Sequence, residues 1–146
     1  MTTALTHARV LAADGWHDDL AVLLEGERIV DLLPPADPRV REARQHDLRG
    51  AMLLPGFIDV QVNGGGGVLF NEAPTVETLR RIGAAHRQFG TTGFLPTLIS
   101  DRVDVMHAAL AAVEQALAGN VPGVLGIHLE GPYLAPARKG VHDPKY

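Results

Sequence analysis

The 146 residues include no cysteine, so neither a disulfide framework nor thiolate chemistry underlies this protein's stability or activity. Positive charge is also scarce: 13 lysines and arginines stand against 17 aspartates and glutamates, and the cations are scattered. That leaves no basic footprint for nucleic acid and no polybasic segment for an anionic membrane surface. No apolar stretch reaches the roughly 18 residues of a bilayer-crossing helix. The segment Met1–His7 has no basic stretch leading into an apolar one, as a secretory leader would. These absences predict a cytoplasmic protein with no nucleic-acid or membrane partner. Aromatics are few, so the 46% hydrophobic fraction is mostly aliphatic and is enough for an ordinary core.

The hydrophobic material is patterned differently in two parts. Up to residue 54 it comes in short, strand-like runs: residues 4–11, then 20–25 and 28–33 around Glu25-Gly26-Glu27, which predicts a hairpin. Pro34-Pro35 ends that unit, residues 36–44 read as polar surface with one helical turn, and a further strand pair is predicted within 46–54. From residue 55 to 146 strands alternate with helices. The predicted strands are 57–63, 93–99 and 123–130. Thr75 caps a helix over 75–89, with Val76, Leu79, Ile82, His86 and Phe89 on its buried stripe and Gly90 as its stop. Ser100 or Asp101 caps a second helix to about 118, with Val103, Met106, Leu110, Val113 and Leu117 facing inward.

This predicts an α/β fold in which a small β unit, 1–54, precedes a β-α-β-α-β unit, 55–146, with parallel strands. The second unit suits the opening of either a (β/α)₈ barrel or a doubly wound sheet. A full barrel takes about 250 residues, so a barrel could only be incomplete here.

In a barrel the reactive groups gather at the C-terminal strand ends. Period-2 alternation puts Asp59, Gln61 and Asn63 on one face of the first strand, and His128 and Glu130 on one face of the third. Thr97 stands toward the end of the second. A carboxylate at the mouth of a buried strand needs charged partners or a metal. From spacing alone Glu130 is therefore either a metal ligand or a member of a hydrogen-bonded network. The run Gly64–Gly67 is either an anion nest or a turn; no Gly-Lys-Ser/Thr follows it, and it is no G-x-G-x-x-G, which excludes a P-loop and a dinucleotide fingerprint. His142 lies in Arg138-Lys139-Gly140-Val141-His142-Asp143-Pro144, which sets an imidazole and two cations past the third strand.

Three stretches carry a family resemblance. Leu54-Pro55-Gly56-Phe57-Ile58-Asp59-Val60-Gln61-Val62-Asn63-Gly64 resembles the strand that opens the barrel in the amidohydrolase superfamily, and the β unit before it is similar to that superfamily's N-terminal half-sandwich. More discriminating are Gly126-Ile127-His128-Leu129-Glu130-Gly131-Pro132-Tyr133-Leu134 with Lys139-Gly140-Val141-His142-Asp143-Pro144, together with Thr91-Thr92-Gly93-Phe94-Leu95-Pro96-Thr97. In this order they resemble N-acetylglucosamine-6-phosphate deacetylases over essentially the whole chain.

The resemblance implies the first three β/α units of a TIM-type barrel and hydrolysis of N-acetylglucosamine 6-phosphate to glucosamine 6-phosphate and acetate. Glu130 would ligate one divalent metal, zinc or iron. His142 would contact the acetamido group, and Gln61 and Asn63 would line the substrate site. Many amidohydrolases carry His-x-His where this sequence has Gln61 and Asn63; neutral amides are poor ligands for zinc or iron, which implies a single metal. The family's aspartate base and two histidine ligands lie on later strands, beyond Tyr146. The partners implied are an amino-sugar phosphate and, for the full-length enzyme, a second subunit. Two other readings stand beside this one: an amidohydrolase of other specificity, and a non-catalytic module that self-associates through open sheet edges.

Overall fold

The computed structural model describes all 146 residues, Met1–Tyr146. They form two compact units, Met1–Pro55 and Gly56–Tyr146. No helix is long and apolar enough to cross a membrane.

The first unit holds β1 (Thr2–Thr6), β2 (Arg9–Ala12), β3 (Gly15–His17), β4 (Ala21–Glu25), β5 (Arg28–Leu33), α1 (Pro38–Glu42), β6 (Arg44–Asp47) and β7 (Met52–Leu53). One sheet runs β5-β4-β1-β6 and another β3-β2-β7. The hairpin expected around Gly26 is β4–β5, and Gly26 supplies the positive φ of +59° that its turn needs. Two expectations differ. The predicted strand 4–11 is two strands in different sheets, because His7 takes φ +53° and redirects the chain between them. The predicted pair within 46–54 does not pair with itself: β6 runs parallel to β1, and β7 parallel to β2. Strand β4 is buried on both faces, which explains its unbroken apolar run. Ala21 and Leu23 meet Ala4, Leu33 and Val40 of α1, while Val22 packs with Ala8 and Val10.

The second unit holds β8 (Phe57–Val62), β9 (Gly64–Gly65), β10 (Val68–Leu69), α2 (Val76–Arg87), β11 (Thr91–Ile99), α3 (Val103–Ala118) and β12 (His128–Glu130). Strands β8, β11 and β12 are parallel, with β11 in the middle. The glycine run forms the tight β9–β10 hairpin, whose Gly66 and Gly67 have φ of +62° and +80°. The positive φ at both turn positions is why glycines stand there.

Helix α2 begins where the sequence predicts: the Thr75 hydroxyl accepts the Thr78 amide at 3.2 Å. Leu79 and Ile82 are fully buried, but Phe89 lies past the helix end and is 81% exposed, outside the stripe expected for it. Gly83 lets the Phe94 ring close onto α2, since a Cβ there would come within 2.9 Å of the ring. Helix α3 departs further. Neither Ser100 nor Asp101 caps it, because the Ser100 hydroxyl turns to His142 and Asp101 binds Asn71. Its buried face is Ala109, Ala112, Val113 and Ala116, while Val103, Leu110 and Leu117 are exposed. The third predicted strand is shorter than 123–130: only His128–Glu130 forms β12, with an isolated bridge from Val124 to Phe94. Gly123, at φ +87°, bends the chain before it.

Candidate active site

The C-terminal ends of β8, β11 and β12 bring together residues far apart in the chain. Parallel pairing sets His128 opposite Thr97 and Glu130 opposite Ile99. Glu130 is half-buried, and both of its carboxylate oxygens have partners. The Gln61 side-chain amide donates to Oε2 at 3.2 Å, and Nε2 of His142 lies 3.3 Å from Oε1. Gln61 and Glu130, with Asn63, line a single hollow of about 280 Å³ that also takes in Asn71, Ile99 and Val141.

His142 reaches Glu130 from a different side. Its ring is buried, 5% exposed, beneath the loop that follows β12. A tight turn delivers it there: the His142 amide donates to the Lys139 carbonyl at 3.1 Å, and Lys139 Nζ donates back to the His142 carbonyl at 3.2 Å. At its other nitrogen, Nδ1 lies 2.9 Å from the Ser100 hydroxyl and receives the Ser100 amide at 3.3 Å. The neighbouring Asp143 carboxyl is held below the ordinary carboxylate range, chiefly by its hydrogen bond from the Lys145 ammonium.

The structure therefore joins Gln61, Glu130 and His142 by direct contacts, and places Asn63 in the same hollow as the first two. Asp59 is not part of the cluster: its carboxylate accepts the Gln61 backbone amide at 3.1 Å. His128 meets the Thr97 hydroxyl at 3.2 Å through Nδ1. His86 bonds the Gly64 carbonyl at 2.9 Å and so tethers the glycine hairpin to α2.

Two contributors escape a reading of the sequence. Ser100 resembles a helix cap by position, and only the tertiary fold turns it toward His142. Asn71 sits in a loop with no motif, yet its side chain spans both backbone groups of Ile99, at 3.1 and 3.2 Å, and donates to Asp101 at 2.9 Å. That clamp fixes the end of β11 beside Glu130.

No three His, Cys, Asp or Glu side chains are arranged so that together they could hold a metal ion. Glu130 suits the part of a single metal ligand: a hard oxygen donor at a strand mouth, oriented by hydrogen-bonding neighbours. A catalytic metal site takes about three protein ligands, and these residues offer Glu130 as one candidate.

No protein-family model matches the chain. It is 56% identical over 99 residues to an N-acetylgalactosamine-6-phosphate deacetylase of Shewanella sp., covering 68% of this chain and 25% of that protein. It is 40% identical over 128 residues to an N-acetylglucosamine-6-phosphate deacetylase of Haemophilus influenzae, covering 88% of this chain and 33% of that one. Its fold superimposes on the crystal structure of N-acetylglucosamine-6-phosphate deacetylase from Pasteurella multocida with a TM-score of 0.92 and 35% identity, over all of this chain and 38% of that one. The chain thus spans between a quarter and two fifths of the length of these relatives.

Proposed function

We propose that this chain, which belongs to the N-acetylglucosamine-6-phosphate deacetylase family, forms part of a metal-dependent hydrolase that releases acetate from an N-acetylhexosamine 6-phosphate. The observation that carries this reading is the Glu130 carboxylate, held at the end of β12 by Gln61 on one oxygen and His142 on the other.

In this reading Glu130 would hold one divalent cation, zinc or iron, which when bound would supply an activated water and polarise the amide carbonyl. Gln61 orients Glu130, and Asn63, beside it in the same hollow, offers an amide to the sugar. With substrate bound, His142 would turn its Nε2–H from the Glu130 carboxylate to the acetamide oxygen. The base that takes the water's proton, an aspartate, and the remaining ligands lie outside this chain. The second unit is the opening of a (β/α)₈ barrel, with β8, β11 and β12 as neighbours in chain order. The first unit is half of a β-sandwich: Leu24, Ile29, Leu32 and Leu54 line an open apolar groove, and Ile29 is 70% exposed, as on a sheet face made to be covered. The complete enzyme works in the cytoplasm as a homodimer.

The sugar is N-acetylglucosamine 6-phosphate in the primary reading. The 56% identity to an N-acetylgalactosamine-6-phosphate deacetylase favours its 4-epimer as a second reading. Acetate release from both sugar phosphates, by the polypeptide extended to the family's full length and loaded with zinc or iron(II), tests both at once. Turnover of either, abolished by Glu130→Gln, supports the deacetylase assignment, and the preferred epimer decides between the readings. Turnover that survives Glu130→Gln would remove Glu130 from the metal site.

A further inference from the structure

The environment of His142 decides which ring nitrogen bears its proton. Nδ1 lies 3.3 Å from the Ser100 backbone nitrogen, in line to receive its hydrogen. A backbone amide only donates, so Nδ1 presents its lone pair, and the single proton of the neutral imidazole sits on Nε2. The Ser100 hydroxyl, 2.9 Å from the same Nδ1, can share that lone pair as a second donor once the amide has fixed Nδ1 as the acceptor. On the far side Nε2 faces an acceptor, Oε1 of Glu130. The backbone amide at one nitrogen and the carboxylate at the other specify the same tautomer.

Ser100 is itself held in place. Asn71 binds both backbone groups of Ile99 before it and the carboxylate of Asp101 after it. Its hydroxyl packs against Gly131, where an added Cβ would collide with Oγ. Ser100 is buried, at 8% exposure. The order Ser100–His142–Glu130 superficially matches a nucleophilic triad. The burial of Ser100, with its Oγ turned to Nδ1 of His142 beside Gly131, argues against a nucleophilic role.

We infer that Ser100 is a positioning residue, whose amide and hydroxyl hold Nδ1 of His142 as an acceptor so that Nε2 is the imidazole's donor toward the candidate site. The catalytic consequence rests on the function proposed above: an Nε2–H can bond an acetamide oxygen, and the opposite tautomer cannot.

Nitrogen-15 NMR of the ring, in the full-length polypeptide, reads the tautomer without reference to turnover. The expected spectrum has a pyridine-like Nδ1 and a pyrrole-like Nε2 for His142; a pyrrole-like Nδ1 overturns the inference. Ser100→Ala, which removes the hydroxyl, is expected to lower kcat by roughly 5- to 10-fold, about the effect of one buried hydrogen bond, with little change in KM. Ser100→Thr, which keeps the hydroxyl, is expected to restore most of the rate. A loss of rate that Thr does not rescue, or no loss in the alanine variant, also counts against it. Should Ser100→Ala fail to fold, the spectra of the unsubstituted protein and of Ser100→Thr still decide. If the full-length polypeptide releases no acetate from either sugar phosphate, the deacetylase reading fails while the tautomer is still read from the spectrum.

Discussion

Thr97 accepts the backbone amide of Val62 through its side-chain hydroxyl at 2.9 Å, beside the second of two places where the ladder between β8 and β11 shifts register, this one at a proline. Pro96, in the central strand, has no N–H to give, and the pairing shifts between Phe94 and Pro96. Thr97 is fully buried beside it and also meets Nδ1 of His128. A side chain thus completes the sheet under the site. Thr97→Val keeps the shape but leaves the Val62 amide without this acceptor. The expected cost is about 1–3 kcal/mol, read as a lower denaturant midpoint with an unchanged m-value. Thr97→Ser keeps the hydroxyl and should lose less.

Gly131 follows Glu130 in a backbone conformation, φ +93°, that side chains rarely adopt, and a Cβ there would collide with the Ser100 hydroxyl. Both facts require glycine there, and they give the Glu-Gly step of the motif a physical reason. Gly131→Ala combines left-handed strain with a collision against a buried group. It is expected to destabilise the second unit by at least ~2 kcal/mol and to disturb the contact between Ser100 and His142. A variant as stable as the parent in urea, with unshifted His142 resonances, would contradict this account.

How far the sequence reveals this arrangement depends on the range of the interactions. The Thr75 cap and the Gly26 turn are legible because each involves residues only a few positions apart. Glu130 is legible because strand alternation and the Gly-Pro step set it at a strand mouth. Ser100 is misread, because as a strand-end serine before an apolar run it fits a helix cap as well as it fits anything. Its partner lies 42 residues away. Asn71 has no local signature at all, since its partners are the backbone of a strand 28 residues on. The break at His7 is likewise invisible: the apolar pattern continues across a residue whose φ alone sends the chain into a second sheet.

Acid sensitivity has a specific contributor in the first unit. The Asp47 carboxylate accepts the Arg49 amide at 2.8 Å and pairs with His7 at 3.0 Å, and these hold it below its ordinary value of 3.8. A carboxyl depressed on folding adds stability that is fully present above the unfolded value. That contribution is lost as pH falls through the lower, folded value. Asp47→Asn is therefore expected to lower stability slightly near neutrality and to flatten its decline below about pH 4. The His7–Asp47 pair is solvent-exposed, so the effect is small. Urea midpoints measured from pH 7 down to pH 3 in parent and variant check the sign. A variant whose decline is as steep as the parent's would remove Asp47 as a contributor.

Helix α3 offers a test of packing against hydrophobicity. Its leucines suggest one buried stripe, yet the buried face consists mainly of alanines, with Ala109 and Ala116 wholly inaccessible while Leu110 and Leu117 are more than two fifths exposed. Small side chains let the helix backbone come close to a core that already contains Phe70, Leu79, Ile82 and Phe94. The volume there is taken, and size rather than apolarity decides which face turns inward. Two opposite substitutions follow. Ala109→Leu adds volume where none is free and is expected to cost about 1–3 kcal/mol by overpacking. Leu110→Ser, one position along and facing outward, is expected to change stability by less than about 0.5 kcal/mol in the polypeptide if that face stays in solvent. A large loss from Leu110→Ser in the full-length polypeptide, together with tolerance of the same change in this 146-residue chain, would mean that other parts of the protein cover the leucine face. Equal sensitivity of Ala109 and Leu110 in the short chain would show that α3 is rotated from the orientation described.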